Sequence, residues 1–247
     1  MFYLLLLLLF IIIIALKMFY FLLPLAVVVV VVVVVNKKSK FNDINEKFIF
    51  EINDFLTNEE CDRYISENKE KLNKSTLLSD EKIDNVVRSS SDTVLYDKIL
   101  DEKILSLVNK YSKIKLNLKN GEESTLINYK KKEEYKPHYD ICHPTQSDES
   151  HLKHCKEDYN RFTSIRYLSV IIYLNDNYEG GETHFPRLNL NIKPKRGKAL
   201  VFLNCNKSIN LNNGLCDIIK DSEHGGNPIK NGEKWIIVKW YRLKEIN

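Results

Sequence analysis

Residues 1–35 are apolar apart from Lys17, and the run from Met18 to Val35 closes in an almost pure valine tract before Asn36-Lys37-Lys38. A membrane-spanning helix needs about 20 consecutive apolar residues, so the pattern predicts an N-terminal transmembrane anchor over residues 1–35. A cleavable signal peptide is the competing reading. Its apolar core is shorter, roughly 7 to 15 residues, and ends in small residues at a cut site; neither half of this run ends in an Ala-x-Ala site. A polar linker, residues 36–47, follows. Lys37, Lys38 and Lys40 after the span place the rest of the chain in the cytosol by the positive-inside rule. Asn73-Lys74-Ser75 and Asn206-Lys207-Ser208 are glycosylation sequons that matter only in a lumen, so orientation stays open.

Beyond the linker the periodicity changes. Phe48 to Ile52 reads as a short strand, and Thr57 with Glu60 three residues later forms a capping box for a helix whose apolar face carries Cys61, Tyr64 and Ile65. Leu100, Ile104, Leu107, Val108 and Tyr111 recur at three and four residues, the stripe of a second helix packed on a core. After Asn120-Gly121 the pattern becomes β: Ser124 to Tyr129, Tyr167 to Leu174, Ala199 to Leu203 and Trp235 to Tyr241 are short runs rich in Ile, Val, Tyr and Phe, punctuated by Gly180-Gly181 and Gly197. The segment from Cys142 to Phe162 is long and polar and reads as an exposed loop insertion. Two helices followed by many short strands predict a mainly β chain with flanking helices, a double-stranded β-helix (jelly-roll) core behind the N-terminal transmembrane helix. The predicted division is a helical support region over 48–121 and a catalytic domain over 122–243.

Composition narrows this picture without redirecting it. The 247 residues carry a formal net charge of +4, with lysines interleaved among nearly as many acids, so no basic stripe points to nucleic acid. The Lys130 to Lys132 cluster reads as a solvated face. Five cysteines, Cys61, Cys142, Cys155, Cys205 and Cys216, show no repeated spacing and resemble neither a disulfide framework nor a CxxC zinc module, although one or two bridges are compatible with a lumenal domain. A zinc site recruiting Cys142, His143, His151, His154 and Cys155 fits no standard spacing.

The candidate chemistry lies in two stretches. Pro137-His138-Tyr139-Asp140 puts His138 and Asp140 on one face of an extended segment. Far downstream, Asp221 to Trp235 holds His224 beside Gly225-Gly226, then a turn, then Lys234 entering an apolar run. Two histidines and a carboxylate form the facial triad that suits non-haem Fe(II) and leaves coordination positions open; Lys234 supplies a cation for an anionic cosubstrate. His143, His151 and His184 read as ordinary surface or core histidines.

These residues, from about Phe48 to Tyr241, resemble the 2-oxoglutarate and Fe(II)-dependent dioxygenases of the prolyl 4-hydroxylase alpha-subunit type. The resemblance is carried by Tyr135 to Asp140, Tyr173-Leu174-Asn175-Asp176, Gly180-Gly181-Glu182-Thr183-His184-Phe185, Pro194 to Ala199 and the Asp221 to Trp240 block, with softer similarity at Phe55 to Cys61 and Arg88-Ser89-Ser90-Ser91. It implies His138, Asp140 and His224 as iron ligands, Lys234 as the 2-oxoglutarate lysine, and Tyr129 and Thr183 as lining of the cosubstrate pocket. No catalytic group beyond the metal centre is expected. The implied cofactors are Fe(II), 2-oxoglutarate, O2 and L-ascorbate. The implied reaction is hydroxylation of peptidyl proline to 4-hydroxyproline, coupled to conversion of 2-oxoglutarate into succinate and CO2. The expected partner is a proline-containing protein or peptide, collagen-like if the domain faces the lumen of the endoplasmic reticulum; a cytosolic domain would favour a single acceptor protein. Hydroxylation of lysyl or other side chains and a tethered non-catalytic binding module are the alternatives. The chain departs from the family pattern in three places: Lys130 to Glu134 lacks the usual glycine, the Cys142 to Phe162 segment is long, and Glu223 replaces an apolar residue before His224.

Overall fold

The computed structural model describes residues 43–45, 48–75, 88–147 and 149–246. The predicted anchor over 1–35 and most of the predicted linker lie outside the described residues, and among those described no helix is long and apolar enough to cross a membrane. After strands β1 (Asp43–Asn45) and β2 (Ile49–Ile52) comes helix α1 (Asn58–Asn68). Its start is set by the predicted capping box: Thr57 Oγ1 accepts from the Glu60 amide at 3.2 Å while Glu60 Oε2 accepts from the Thr57 amide at 2.7 Å. Strands β3 (Asn73–Lys74) and β4 (Ser91–Leu95) precede helix α2 (Lys98–Val108), N-capped by Asp97. The helix buries Leu100, Ile104, Leu107 and Val108, the predicted stripe.

Then follow β5 (Ser124–Tyr129), β6 (Tyr135–His138), helix α3 (Glu149–Phe162), β7 (Arg166–Tyr173), β8 (Glu179–Gly180), β9 (Thr183–Phe185), β10 (Leu190–Ile192), β11 (Ala199–Leu203), β12 (Cys205–Asn210), β13 (Leu215–Ile218), β14 (His224–Gly226), β15 (Ile229–Asn231) and β16 (Lys234–Arg242). The large sheet has the order β1-β2-β11-β7-β16-β5-β4-β3, and the smaller one β10-β9-β14-β6. The central strands β7, β11 and β16 are apolar nearly end to end because both their faces are covered. The two sheets meet through aromatic side chains: Phe185 of β9 abuts Phe202 of β11 edge-on, ring centroids 5.4 Å apart, and both are fully buried. Each such ring contributes about 1.5–3 kcal/mol by leaving water. This is the mainly β, jelly-roll architecture expected, with α1 and α2 as its preceding helices. Residues 48–121 do more than support it, since β2, β3 and β4 are strands of the large sheet.

The expectation of a structureless loop from Cys142 to Phe162 is corrected. Residues 149–162 form α3, on which Cys155 is buried and Tyr159 packs against the core. Leu152, Cys155 and Tyr159 sit at helical spacing, but they are outnumbered by charged and polar neighbours, which hides the stripe in the sequence. Two disulfides, Cys142–Cys155 and Cys205–Cys216, join cysteines without any module spacing, while Cys61 is free and buried. The first bridge consumes both cysteines of the zinc arrangement considered above.

Candidate metal and anion site

His138 ends β6, His224 begins β14, and the two are direct cross-strand partners in the antiparallel pair. Pairing across the ladder brings such residues within about 5.5 Å at their Cα atoms, so residues 86 positions apart in the chain become neighbours through register alone. Asp140 lies two residues beyond His138, on the same side of the extended backbone. One ligand atom from each of His138, Asp140 and His224 lies within 4.8 Å of the others. His138 Nε2 is 3.5 Å from Asp140 Oδ1, and His224 Nε2 is 3.6 Å from Asp140 Oδ2.

Backbone carbonyls decide which nitrogens face inward. His138 Nδ1 lies 2.8 Å from the Lys136 carbonyl and His224 Nδ1 lies 3.0 Å from the Ser222 carbonyl. A carbonyl only accepts, so each Nδ1 carries a proton and each Nε2 is the ring nitrogen turned toward Asp140. Tyr135 stacks on the His138 ring at 3.6 Å, and Phe202 lies against the His224 ring at 4.6 Å, restricting both imidazoles. Burial pushes the His224 imidazole down to about 4, against the pull of Asp140. Burial alone would raise the Asp140 carboxyl, but the adjacent His224, the contact with His138 and the Arg166 guanidinium outweigh it and hold the group well below the usual carboxylate range. At neutral pH the Asp140 carboxylate is therefore ionised and the His224 imidazole neutral, the states in which these groups can ligate a divalent metal.

Lys234 opens β16 opposite Tyr129 of β5 and is 3% exposed. Its Nζ donates to the Gly181 carbonyl at 2.8 Å, and among the described residues it has no ion-pair partner. An ammonium has three protons to donate, so a buried cation with spare donors suits a carboxylate ligand. Burial lowers its pKa to about 8, opposed by Glu182. Tyr129 and Tyr173 present their rings 5.5 and 5.8 Å from Nζ. Thr183 is buried on β9 and its Oγ1 accepts from the Tyr173 hydroxyl at 2.7 Å. Tyr129, Thr183 and Lys234 thus share one buried neighbourhood. Close packing there depends on glycine: a Cβ at Gly225 would meet His184 and the Tyr135 carbonyl at 2.7 and 2.8 Å, and Gly181, at φ 70°, would bring one within 2.9 Å of the Tyr178 ring. The donor set and this cradle fit an Fe(II) ion and an anionic 2-oxo acid.

The departures from the family pattern fall outside the ligand set. In place of the missing glycine the turn after β5 puts Lys132 in the left-handed region, φ 71°. Glu223 is taken up by Arg187, whose Nε donates to Glu223 Oε2 at 2.9 Å and to the Tyr139 hydroxyl at 3.1 Å. His184 faces Gly225 across the ladder and is not part of the three-residue cluster. Sequence reasoning missed Ser169 and Asn204, which lie behind Asp140; the available signal was a serine inside the apolar run of β7.

The 2OG-Fe(II) oxygenase superfamily matches the chain over residues 124–242. Prolyl 4-hydroxylase 5 of Arabidopsis thaliana is 32% identical over 217 residues, which cover 77% of this chain and 67% of the relative. Probable prolyl 4-hydroxylase 8 of the same plant is 30% identical over 223 residues, covering 80% of this chain and 69% of the relative. Among solved structures, the viral collagen prolyl hydroxylase of Paramecium Bursaria Chlorella virus-1, in its 2OG complex, superposes with a TM-score of 0.57 at 27% identity, covering 79% of this chain and 96% of that one.

Proposed function

Because the chain belongs to the prolyl 4-hydroxylase family of 2OG-Fe(II) oxygenases, we propose that it hydroxylates peptidyl proline to 4-hydroxyproline, with His138, Asp140 and His224 holding the iron. It is an enzyme, and its cofactors are Fe(II), 2-oxoglutarate, O2 and ascorbate. The observation that carries the assignment of residues is the convergence of His138 Nε2, His224 Nε2 and the Asp140 carboxylate, with ligand atoms within 4.8 Å of one another. When bound, iron and 2-oxoglutarate supply the oxidation: one atom of O2 ends in succinate, the other in the hydroxylated C–H bond, and CO2 leaves. The protein's own share is positional. His138, Asp140 and His224 would hold the metal, a donor set of two imidazoles and one carboxylate that suits Fe(II) with positions left for cosubstrate and O2. Lys234 pairs with the distal carboxylate of the cosubstrate, with Tyr129 and Thr183 lining that end. Phe185, Phe202 and Tyr173 keep bulk water from the buried side.

The substrate is read as a proline-containing, collagen-like peptide, in line with the structural similarity to the viral collagen prolyl hydroxylase. Two disulfides favour an oxidising compartment, which supports a lumenal domain tethered by residues 1–35. The test is succinate release by the full chain with Fe(II) and ascorbate, with and without a (Pro-Pro-Gly) repeat peptide, beside His224→Ala. Peptide-dependent turnover that vanishes in the variant, with a mass gain of one oxygen on proline, is the expected result. Turnover that needs His224 but ignores the peptide would move the substrate to another side chain, and absence of both turnover and iron binding would leave a tethered binding module.

A further inference from the structure

We infer that Ser169, held in place by Asn204, positions the Asp140 carboxylate so that it offers a single oxygen to the metal. This rests on reading Asp140 as an iron ligand. Ser169 lies in the middle of β7, and its cross-strand neighbours are Phe202 on β11 and Trp240 on β16. Both Ser169 and Asn204 are fully buried. A hydroxyl and an amide in such surroundings are costly unless hydrogen-bonded, about 1–3 kcal/mol each.

The direction of each bond follows from what the groups can do. Ser169 Oγ is 2.6 Å from Asp140 Oδ2. An ionised carboxylate only accepts, so the one hydroxyl proton goes to Asp140, and the serine oxygen must itself accept from elsewhere. Asn204 Nδ2 supplies that bond at 2.9 Å. The asparagine is locked from both sides of its backbone, donating to the Tyr167 carbonyl and accepting from the Ile219 amide. Turning its NH2 toward Ser169 leaves Asn204 Oδ1 buried without a partner, so the relay is made at a cost. Oδ2 thereby has one lone pair engaged by Ser169 although it also lies 3.6 Å from His224 Nε2, while Oδ1, free of that bond, lies 3.5 Å from His138 Nε2 and is the better placed of the two to ligate. A carboxylate binding through both oxygens would take one of the three positions that a 2-oxo acid and O2 require. Ser169 is thus a positioning residue that acts through Asp140.

The test uses the full metal-free chain titrated with Co(II) alone, followed by visible absorption, with a thermal melt of each metal-free variant. Ser169→Ala is expected to weaken Co(II) binding by about 10- to 100-fold, the usual effect of losing a bond to a ligand. Ser169→Thr, which keeps the hydroxyl, should restore most of the affinity. Asn204→Ala should weaken binding in the same direction by less. A role confined to stability would instead lower the melting temperature of Ser169→Ala and leave Co(II) affinity untouched, which overturns the inference. Asp140→Asn separates the two readings: if it binds Co(II) like the native chain, the ligand assignment itself fails. If it loses Co(II) while Ser169→Ala does not, the assignment stands and the relay falls. Should Ser169→Ala not fold, Asn204→Ala decides the matter, and unchanged affinity there overturns it.

Discussion

Lys234 is the residue whose chemistry is most exposed to test, because its environment sets both its charge and its use. Burial brings its pKa to about 8, so its ammonium is lost as pH rises through that value. In the unfolded chain the same group titrates near 10.4. Between the two values the unfolded state holds the proton and the folded state does not, so this residue makes stability increase with pH there. Binding of a carboxylate cosubstrate runs the opposite way, since it needs the charged form. The KM for 2-oxoglutarate is therefore expected to rise above pH 8 in the native enzyme, measured at saturating peptide. Lys234→Met should raise that KM by at least about 30-fold, the loss of roughly 2 kcal/mol for a buried charge pair, and abolish its pH dependence. A native KM flat from pH 7 to pH 9 would show that the lysine does not meet the cosubstrate. The neighbourhood of Lys234 was partly readable in advance. A lysine at the head of an apolar strand is conspicuous, whereas its contact with the Gly181 carbonyl joins residues 53 positions apart and exists only in the fold.

At the scale of elements, α3 is where the sequence pattern and the structure diverge, and it lies next to the site. Cys142 follows Asp140 by two residues, and its bridge to Cys155 ties that stretch to the helix. The same helix presents Asp158 to Arg242 of β16 in a two-pronged pair at 2.9 and 3.0 Å, and Arg242 shares Glu122 with Arg166. Closing a loop of 13 residues removes about 3 kcal/mol of chain entropy from the unfolded state. The paired change Cys142→Ser with Cys155→Ser is thus expected to lower the melting temperature by roughly 6 to 12 °C for a domain of this size. An unchanged melt would mean that the ion pairs alone dock the helix. The strands of the smaller sheet explain a second limit of sequence reading. β6, β9, β10 and β14 are three or four residues long, too short for an alternation to register, and they are identified by their pairing.

For the whole molecule, the proposed tether over residues 1–35 makes the side of the membrane faced by the catalytic part a matter for experiment. The lysines at 37, 38 and 40 argue for the cytosol, and the two disulfides argue for an oxidising lumen. Bridges depend on compartment more strictly than flanking charge does on orientation, which is why the lumenal orientation is the one proposed. In microsomes made with the full chain, the segment after residue 41 should resist added protease until detergent opens the vesicles. Digestion without detergent would place it in the cytosol and shift the substrate away from collagen-like repeats.

What the amino-acid sequence determined by itself is local or periodic. The capping box at Thr57 and Glu60, the stripe of α2 and the apolar runs of β5, β7, β11 and β16 are short-range patterns that burial rewards directly. His138 and Asp140, two residues apart on an extended backbone, belong to that class. The tertiary structure decided everything that joins distant chain segments: the register that sets His224 against His138, the bridge that recruits α3, and the line from Asn204 through Ser169 to Asp140. Those contacts span tens of residues, and their partners are chosen by strand register and packing, which no local pattern encodes.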